Sequence, residues 1–534
     1  MATRLPVLSS VRERSRSDVK PDNSYQNCEI ILWSLSRPNP APMCNALKLS
    51  AYDYRNNQFG ERTATAQFLA SADEADARLV VEHGGGIVAL STAPKPDGCL
   101  RPGTASDLAV ACELADCALE LEEAARPILG ALSQSKVSFG RLPRATRSGL
   151  SQKGLFAGHC GWSDFCDHGL KQFDKQKVVG AVDVQKFYES FTPDLIVEKL
   201  DAAKIPVKLI DQACDLVARM PRGLPQGTSF ADVLSSVCFA PAARQINFLT
   251  SGYHYVDDFR VLGTSRSDAS SRLCAIASIL EDEGFTVAPN KTFIADGING
   301  MFLLDGVPTG EVDMSEYALF HAEQRPVLDL VAAYGSPARV RRCVDWEQLY
   351  TDRVQNRSQL NIPPQLVKAC IIGVGTANSR LLASDIPQLV KAHPWLIDHI
   401  LKVGQSCSAN GEFFHSLASS ADVPAYVLAR SLRRHQAWSP RSVPGNAARC
   451  ALAHADANVR AAACYLASKS ANAQLAYDVL VSLGREMITT NQLEIIGVGV
   501  LLEGNERRRF VRTVRDIGPL CERAATKLLR SEAA

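Results

Sequence analysis

Four short segments carry the residue types that chemistry needs. They are Val182 to Phe191, with Asp183 and Tyr188; Gly223 to Ser229, with Gln226 and Gly227; Tyr255-Val256-Asp257-Asp258; and Pro289 to Thr292, with Lys291. Singly, each has a plain structural reading. Asp183 would be a turn residue after an apolar run, Pro225-Gln226-Gly227 a turn, and Asp257-Asp258 a solvated hairpin tip. Together they say more. One carboxylate at a strand end and two on a tight turn converge when the strands are neighbours. Such a cluster suits two divalent cations about 4 Å apart, the arrangement used for in-line nucleotidyl transfer. A hard cation such as Mg²⁺ takes carboxylate and phosphate oxygens and needs no His or Cys.

Those residues need elements to hold them. Val178 to Asp183 has the unbroken apolar pattern of a buried strand and delivers Asp183 at its end. Tyr253 to Leu262 reads as a hairpin whose acidic turn carries Asp257 and Asp258. Asp201 to Met220 reads as one helix, closed by Pro221 and Gly223. From about residue 46 to 300 short apolar runs alternate with helical stretches, as in an α/β or α+β body. Residues 1–45 read as a flexible basic segment ending in the Pro-rich Arg37 to Pro42. Arg4, Arg12, Arg14 and Arg16 give it a faint transit-peptide character, which Glu13 and Asp18 oppose. Past about residue 315 helical periods dominate. There Asp456 to Ala463 resembles the second-helix signature of HEAT-type repeats, with a plain helical bundle as the alternative.

The composition is globular. With 46% hydrophobic and 22% charged residues, 34 Gly and 27 Pro among 534, collagen, coiled coil and wholesale disorder are excluded. No stretch approaches the ~20 apolar residues of a membrane span. A net charge of +1 neither demands nor forbids nucleic acid, because a basic groove can be offset by an acidic face elsewhere. Sixteen Cys without regular spacing read as reduced thiols in a cytoplasmic protein with no membrane partner.

In their order, the four segments resemble motifs A, B, C and D of the reverse transcriptase palm. Pro94 to Pro102 resembles the fingers segment that contacts an incoming triphosphate, and Val137 to Arg144 resembles an element of bacterial members. The resemblance covers about residues 90–295. It implies an α+β right-hand polymerase, with fingers over 46–180 and a palm over 181–315. An all-α HEAT-like helical-repeat domain over 316–534 would replace the thumb. It implies RNA-directed DNA polymerase activity on dNTPs. Asp183 and Asp257 would be the main ligands of two Mg²⁺ ions, or of Mn²⁺ in their place, with Asp258 in support and the Val184 carbonyl nearby. Tyr188 falls where the family sets its steric gate against a ribose 2′-OH, so an aromatic there implies deoxynucleotides. Gln226 and Gly227 would line the base and sugar. Lys291 would protonate the leaving pyrophosphate, and Lys95 and Arg101 would clamp the triphosphate.

Other clusters have two readings each. His159, Cys160, Cys166 and His168 fall within ten residues and would serve either zinc or ordinary packing. Gly84-Gly85-Gly86 lacks the Lys of a phosphate loop and reads as a turn. Basic strips at Arg507, Arg508, Arg509, Arg512 and Arg515, at Arg339, Arg341 and Arg342, and at Arg430, Arg433 and Arg434 fit a phosphate backbone or a solvated helix face.

No ribonuclease H, His-Asn-His nuclease, integrase or protease pattern is present, and no retron-type Asn-Ala-x-x-His element. Palm and fingers fused to a large helical region resemble the bacterial defence-associated reverse transcriptases, including the abortive-infection and unknown-group branches. That resemblance implies an antiphage role, an RNA template or non-coding RNA, nascent DNA, and a homo-oligomer or second polymerase subunit as partners. It leaves two alternatives for the same site. One is template-independent synthesis primed on a protein hydroxyl, with Tyr334, Tyr350 and Tyr426 as candidates. The other is an inactive palm kept as an assembly scaffold.

Overall fold

The computed structural model describes residues 40–56, 63–84, 88–94, 100–135, 137–140, 161–173 and 177–304. Beyond these it describes 346–355, 379–397, 423–434 and 504–531, with a few shorter stretches between 367 and 496. The first helix, α1, spans Pro40–Asn56. The Pro-rich segment expected to be irregular to residue 45 is therefore already helical from residue 40. Pro40 and Pro42 lie in the first turn, where a backbone N–H has no partner within the helix and proline forfeits little.

Two helices follow, α2 (Thr63–Ala70) and α3 (Glu74–His83). Asp73 caps α3 and forms a capping box with Asp76. A hairpin then pairs β1 (Val88–Pro94) with β2 (Leu100–Ser106), Ala93 lying opposite Arg101. After it come α4 (Leu108–Ala124), α5 (Arg126–Gln134), the short β3 (Ser138–Phe139) and α6 (Trp162–Gln172).

The strand read at Val178 to Asp183 is β4. It sits inside a five-stranded sheet of order β3-β5-β6-β4-β7, where β5 is Tyr253–Tyr255, β6 Asp258–Gly263 and β7 Phe293–Asp296. All pairs are antiparallel except β3 with β5. Both faces are covered, which explains the unbroken apolar run of β4. One face sends Val182, Val184, Phe259 and Val261 into a core shared with α4 and with α9 (Ser229–Thr250) and α10 (Arg266–Asp282). The other sends Val179, Ala181 and Ala295 against α6 and α11 (Gly297–Leu304).

Asp201 to Met220, expected as one helix, is divided between two: α7 (Pro193–Ala202) and α8 (Val207–Ala218). Lys204 takes φ +57° and Pro206 stands at the N-cap of α8. A proline disfavours helical backbone in the residue before it, so the break falls here despite good helical periodicity on both sides.

Beyond residue 345 the described elements are helical: α12 (Trp346–Tyr350), α13 (Ser379–Ala392), α14 (Ala425–Arg434), α15 (Gly504–Ile517) and α16 (Pro519–Ser531). Asp456 accepts from the Val459 N–H at 3.2 Å, and Val459, Ala462 and Ala463 are buried. These C-terminal helices share one core with the N-terminal ones: Tyr54, Phe68 and Val80 cluster with Tyr350, Phe510 and Leu528. Buried Asp76 binds Arg523 Nε at 2.8 Å and also pairs with Lys527, tying α3 to α16. The β1 strand of the β1–β2 hairpin lies against α14. Among the described residues no helix is long and apolar enough to cross a membrane.

Candidate active site

The antiparallel register of β4 and β6 sets Asp183 directly opposite Asp258. Directly opposed residues share a face of the sheet, and two carboxylates so placed repel. Asp257 occupies the turn between β5 and β6. Its carbonyl accepts from the Val184 N–H at 3.1 Å, locking the turn to the end of β4. On the opposite edge the Asp183 carbonyl accepts from Ala288 N–H at 2.8 Å, and Gln185 N–H donates to Thr286 at 2.7 Å. In an extended strand the N–H and C=O of one residue point the same way, so the Val184 carbonyl faces the Asp257 turn.

Each outer carboxylate is held by a cation of the protein. Lys291, in a 3₁₀ turn at Pro289–Lys291, places Nζ 2.8 Å from Asp183 Oδ1. Arg260, two residues along β6 on the same face as Asp258, reaches Asp258 Oδ2 at 2.8 Å. Arg260 is buried, and its guanidinium lies 5.6 Å over the Phe165 ring. Burial, with Asp183 and Asp258 close by, pushes the Asp257 carboxyl up to about 7. Asp258 rises to about 6: burial and Asp183 raise it, and Arg260 works against them. Burial alone would lower the Lys291 pKa, but its hydrogen bond to Asp183 and the three carboxylates outweigh it and the net direction is up.

Motif B lies against motif A. The Tyr188 carbonyl, in a 3₁₀ turn at Phe187–Ser190, accepts from Leu224 N–H at 2.9 Å. The half-buried Tyr188 ring sits edge-on to Phe187 with centroids 5.3 Å apart. Gly223 takes φ +62°, and a Cβ there would fall 2.3 Å from the Tyr188 carbonyl oxygen. Gly227 has φ +90° and, with half-buried Gln226, leads into α9, whose N-cap is Thr228. Substituting Gly223→Ala should therefore displace Tyr188. The expected result is a fall of roughly 10²-fold in catalytic rate, as for other ångström-scale misplacements, with the loss of stability confined to about 1–3 kcal/mol of strain and overpacking. Unchanged kinetics would show that this contact does not set the Tyr188 position.

Asp53, on α1, accepts from Ser229 N–H at 2.9 Å and from Ser229 Oγ at 2.6 Å, so an N-terminal helix anchors the start of α9. With Arg260, it is a site-supporting residue that sequence reasoning missed. Arg260 had a signal, being two positions from Asp258 on a strand. Asp53 had none, since nothing local couples residues so far apart in the chain.

Of the remaining candidates, Arg101 lies on β2 and Lys95 lies outside the described residues. His159 and Cys160 are also outside them, while Cys166 is buried in the core beside α6. His168 packs at a tilt against Phe139 and Tyr253, and burial lowers its pKa. Tyr350 is fully buried and donates to Asp385 Oδ2 at 3.0 Å, which removes it as a primer hydroxyl in this fold. Tyr426 packs under Arg430, and Tyr334 lies outside the described residues.

Residues 132–314 match the model of the family described as reverse transcriptase (RNA-dependent DNA polymerase). The chain carries a reverse transcriptase domain. The match spans β3 to α11 and contains the carboxylates, the Gly223 to Ser229 loop and Lys291. A telomerase structure from Candida albicans, solved in complex with a TWJ fragment of telomeric RNA, is similar over 63% of this chain, with 11% identity and a TM-score of 0.29. This chain spans 64% of the telomerase chain. No curated protein sequence matches this chain.

The donor set of the domain can be tested against divalent metal. Burial, with the mutual repulsion of three hard carboxylates added to it, raises the Asp257 and Asp258 carboxyls toward neutral pH, so the site would gain from added positive charge. By chemistry they fit Mg²⁺. As placed, no three His, Cys, Asp or Glu side chains among the described residues form a group that could hold a metal ion, and Lys291 and Arg260 each pair with one carboxylate.

Proposed function

We propose that the chain is a reverse transcriptase that synthesises DNA from dNTPs by two-metal nucleotidyl transfer. The observation that carries this reading is the register of β4 against β6. It brings Asp183, Asp257 and Asp258 into one electrostatic cluster inside the segment that matches the family. Asp183 and Asp257 would hold the metals, with Asp258 in support and the Val184 carbonyl beside them. Bound divalent ions supply Lewis-acid stabilisation of the transferring phosphoryl group. The chain's own groups do the rest. Tyr188 screens the sugar, Gln226 and Gly227 line base and sugar, Lys291 delivers a proton to pyrophosphate, and Lys95 and Arg101 hold the triphosphate.

The helices described beyond residue 345, together with the Val459 N–H donating to Asp456 as a helix cap would, support placing the chain among defence-associated reverse transcriptases with an antiphage role and a HEAT-like domain in place of a thumb. An RNA template or non-coding RNA, the nascent DNA and a second polymerase or further copies of this chain are the partners this reading entails.

The test is labelled-dNTP incorporation by purified protein with Mg²⁺, with and without prior nuclease treatment. Synthesis lost on nuclease treatment supports templated copying. Synthesis that survives, on product bound to protein after denaturation, would replace templated copying with protein priming. No dNTP consumption under any condition would leave a scaffold. If Tyr188 is the gate, Tyr188→Ala lowers dNTP over rNTP preference by roughly 10²-fold, about 2.8 kcal/mol. An unchanged ratio in competition assays would remove Tyr188 from that role.

A further inference from the structure

Asp257 is presented by a residue in an unfavourable conformation. Val256 takes φ +56°, the left-handed region, where a β-branched side chain is a genuine outlier. Three contacts keep it there. Its N–H donates to the Phe139 carbonyl at 3.1 Å. Its side chain occupies space that Gly140 leaves open, since a Cβ on Gly140 would fall 2.9 Å from Val256 Cγ2. The third contact is to His254 Nδ1, 3.0 Å from the Val256 carbonyl oxygen.

The geometry fixes the state of that histidine. A carbonyl oxygen only accepts, so Nδ1 carries the hydrogen. Nε2 must then accept, and Ser138 Oγ lies 2.9 Å away to donate. Ser138 is buried on β3, where it is the parallel partner of His254. The imidazole is buried too, stacked on Phe259 at 5.0 Å and 22°, with Phe239 edge-on at 6.1 Å. Burial pushes its pKa down to about 4, against the contrary pull of the Val256 hydrogen bond, so the ring is neutral and offers one donor and one acceptor. Both are used by this pair of contacts.

We propose that His254 is a positioning residue of the catalytic turn: its Nδ1–H holds the Val256 carbonyl in the strained conformation that aims Asp257 at Asp183, and Ser138 selects the tautomer that can do so. The proposal rests on the polymerase reading of the Asp183 and Asp257 site. It separates His254 from an aromatic filler, which would need only the stack on Phe259.

The experiment compares wild type with His254→Phe, His254→Asn and the double variant His254→Phe/Val256→Gly. Phe keeps the stack and loses the donor. Asn can place an N–H near the position of Nδ1. Gly at 256 removes the need for a lock, because it occupies positive φ without strain. The kcat for dNTP incorporation should fall about 10²-fold in His254→Phe with KM little changed, as expected when reacting groups are misplaced by about 1 Å. It should recover in the double variant and in His254→Asn. Amide hydrogen exchange over 253–260 should quicken in His254→Phe and slow again in the double variant. Wild-type kcat in a folded His254→Phe, or no recovery from Val256→Gly, would overturn the proposal. If His254→Phe does not fold, Ser138→Ala replaces it, with a smaller fall in kcat expected and an unchanged kcat overturning the tautomer assignment. If wild type incorporates nothing, the polymerase reading fails, and the exchange measurement still decides the lock: unchanged exchange sinks it.

Discussion

Asp257→Asn should abolish incorporation and still yield a protein at least as stable as wild type. The activity loss is expected at roughly 10³-fold, since a carboxylate that positions a catalytic metal contributes about 4 kcal/mol to the transition state at ~1.4 kcal/mol per factor of ten. The stability gain follows from the crowding of negative charge. Burial and the neighbouring Asp183 and Asp258 push the Asp257 carboxyl from its ordinary 3.8 up to about 7. A raised carboxyl pKa means that the folded state holds a proton which the unfolded chain releases, so stability falls as pH rises from about 4 to 7 and stays low above it. Undamped, that difference is about 4 kcal/mol, and solvent reaching these half-buried groups reduces it to the order of 1–2. The Asn variant escapes it. In metal-free buffer its Tm should exceed that of wild type at pH 8, and the gap should close as pH falls through 7 toward 4. Added Mg²⁺ should raise the Tm of wild type more than that of the variant, because only a ligand bound to the native state stabilises it. Wild-type incorporation by Asp257→Asn would displace the metal role from this residue. A markedly lower Tm at pH 8 would mean the carboxylate is a structural partner.

Much of the palm is legible in the chain because its signals are local. The apolar run into Asp183 and the alternation on either side of Asp257 each specify a strand without help from elsewhere, and β4, β5 and β6 form where those patterns lie. The segment from Asp201 to Met220 departs from the single helix expected because periodicity continues across Pro206, while the backbone restriction before that proline acts on a single residue. The start of α1 departs from expectation in the opposite way. A Pro-rich run reads as irregular, although two prolines in a first helical turn cost little.

What the sequence did not disclose is how the motifs are joined. Leu224 N–H to the Tyr188 carbonyl, Val184 N–H to Asp257 and His254 to Val256 are contacts made by or to backbone atoms, so no residue type advertises them. Their effect is cumulative. β3 braces Val256, the Val256 turn is tied to β4, and β4 continues into the Tyr188 turn, which the Gly223 loop then holds. Gly223 was visible as a turn glycine, but its reason is tertiary, namely the approach of the Tyr188 carbonyl. The sharing of one core between α1 to α3 and the C-terminal helices is likewise a long-range fact, without a local signature.

Lys291→Ala should slow incorporation by roughly 10²-fold, the lower end of what a positioned general acid contributes. Two roles are folded into that loss, and Lys291→Arg separates them. The ammonium sits on Asp183 Oδ1 at 2.8 Å and neutralises part of the carboxylate cluster, which arginine can also do. Arginine, with a pKa above ~12, does not give up its proton readily, so it cannot stand in as an acid for pyrophosphate. If Lys291 acts as an acid, Arg recovers only a small part of the rate. The carboxylates around Lys291 raise its pKa above the ordinary value for a lysine despite the opposing effect of burial. The proton is therefore in place across the neutral range, and the ratio of wild-type to Lys291→Ala rates should be flat between about pH 6.5 and 9. Its stabilising pairing is present throughout that window too and is lost only as pH rises through the raised lysine pKa. Full activity in Lys291→Arg would mean that charge alone is needed and that no proton passes from this residue to the leaving group.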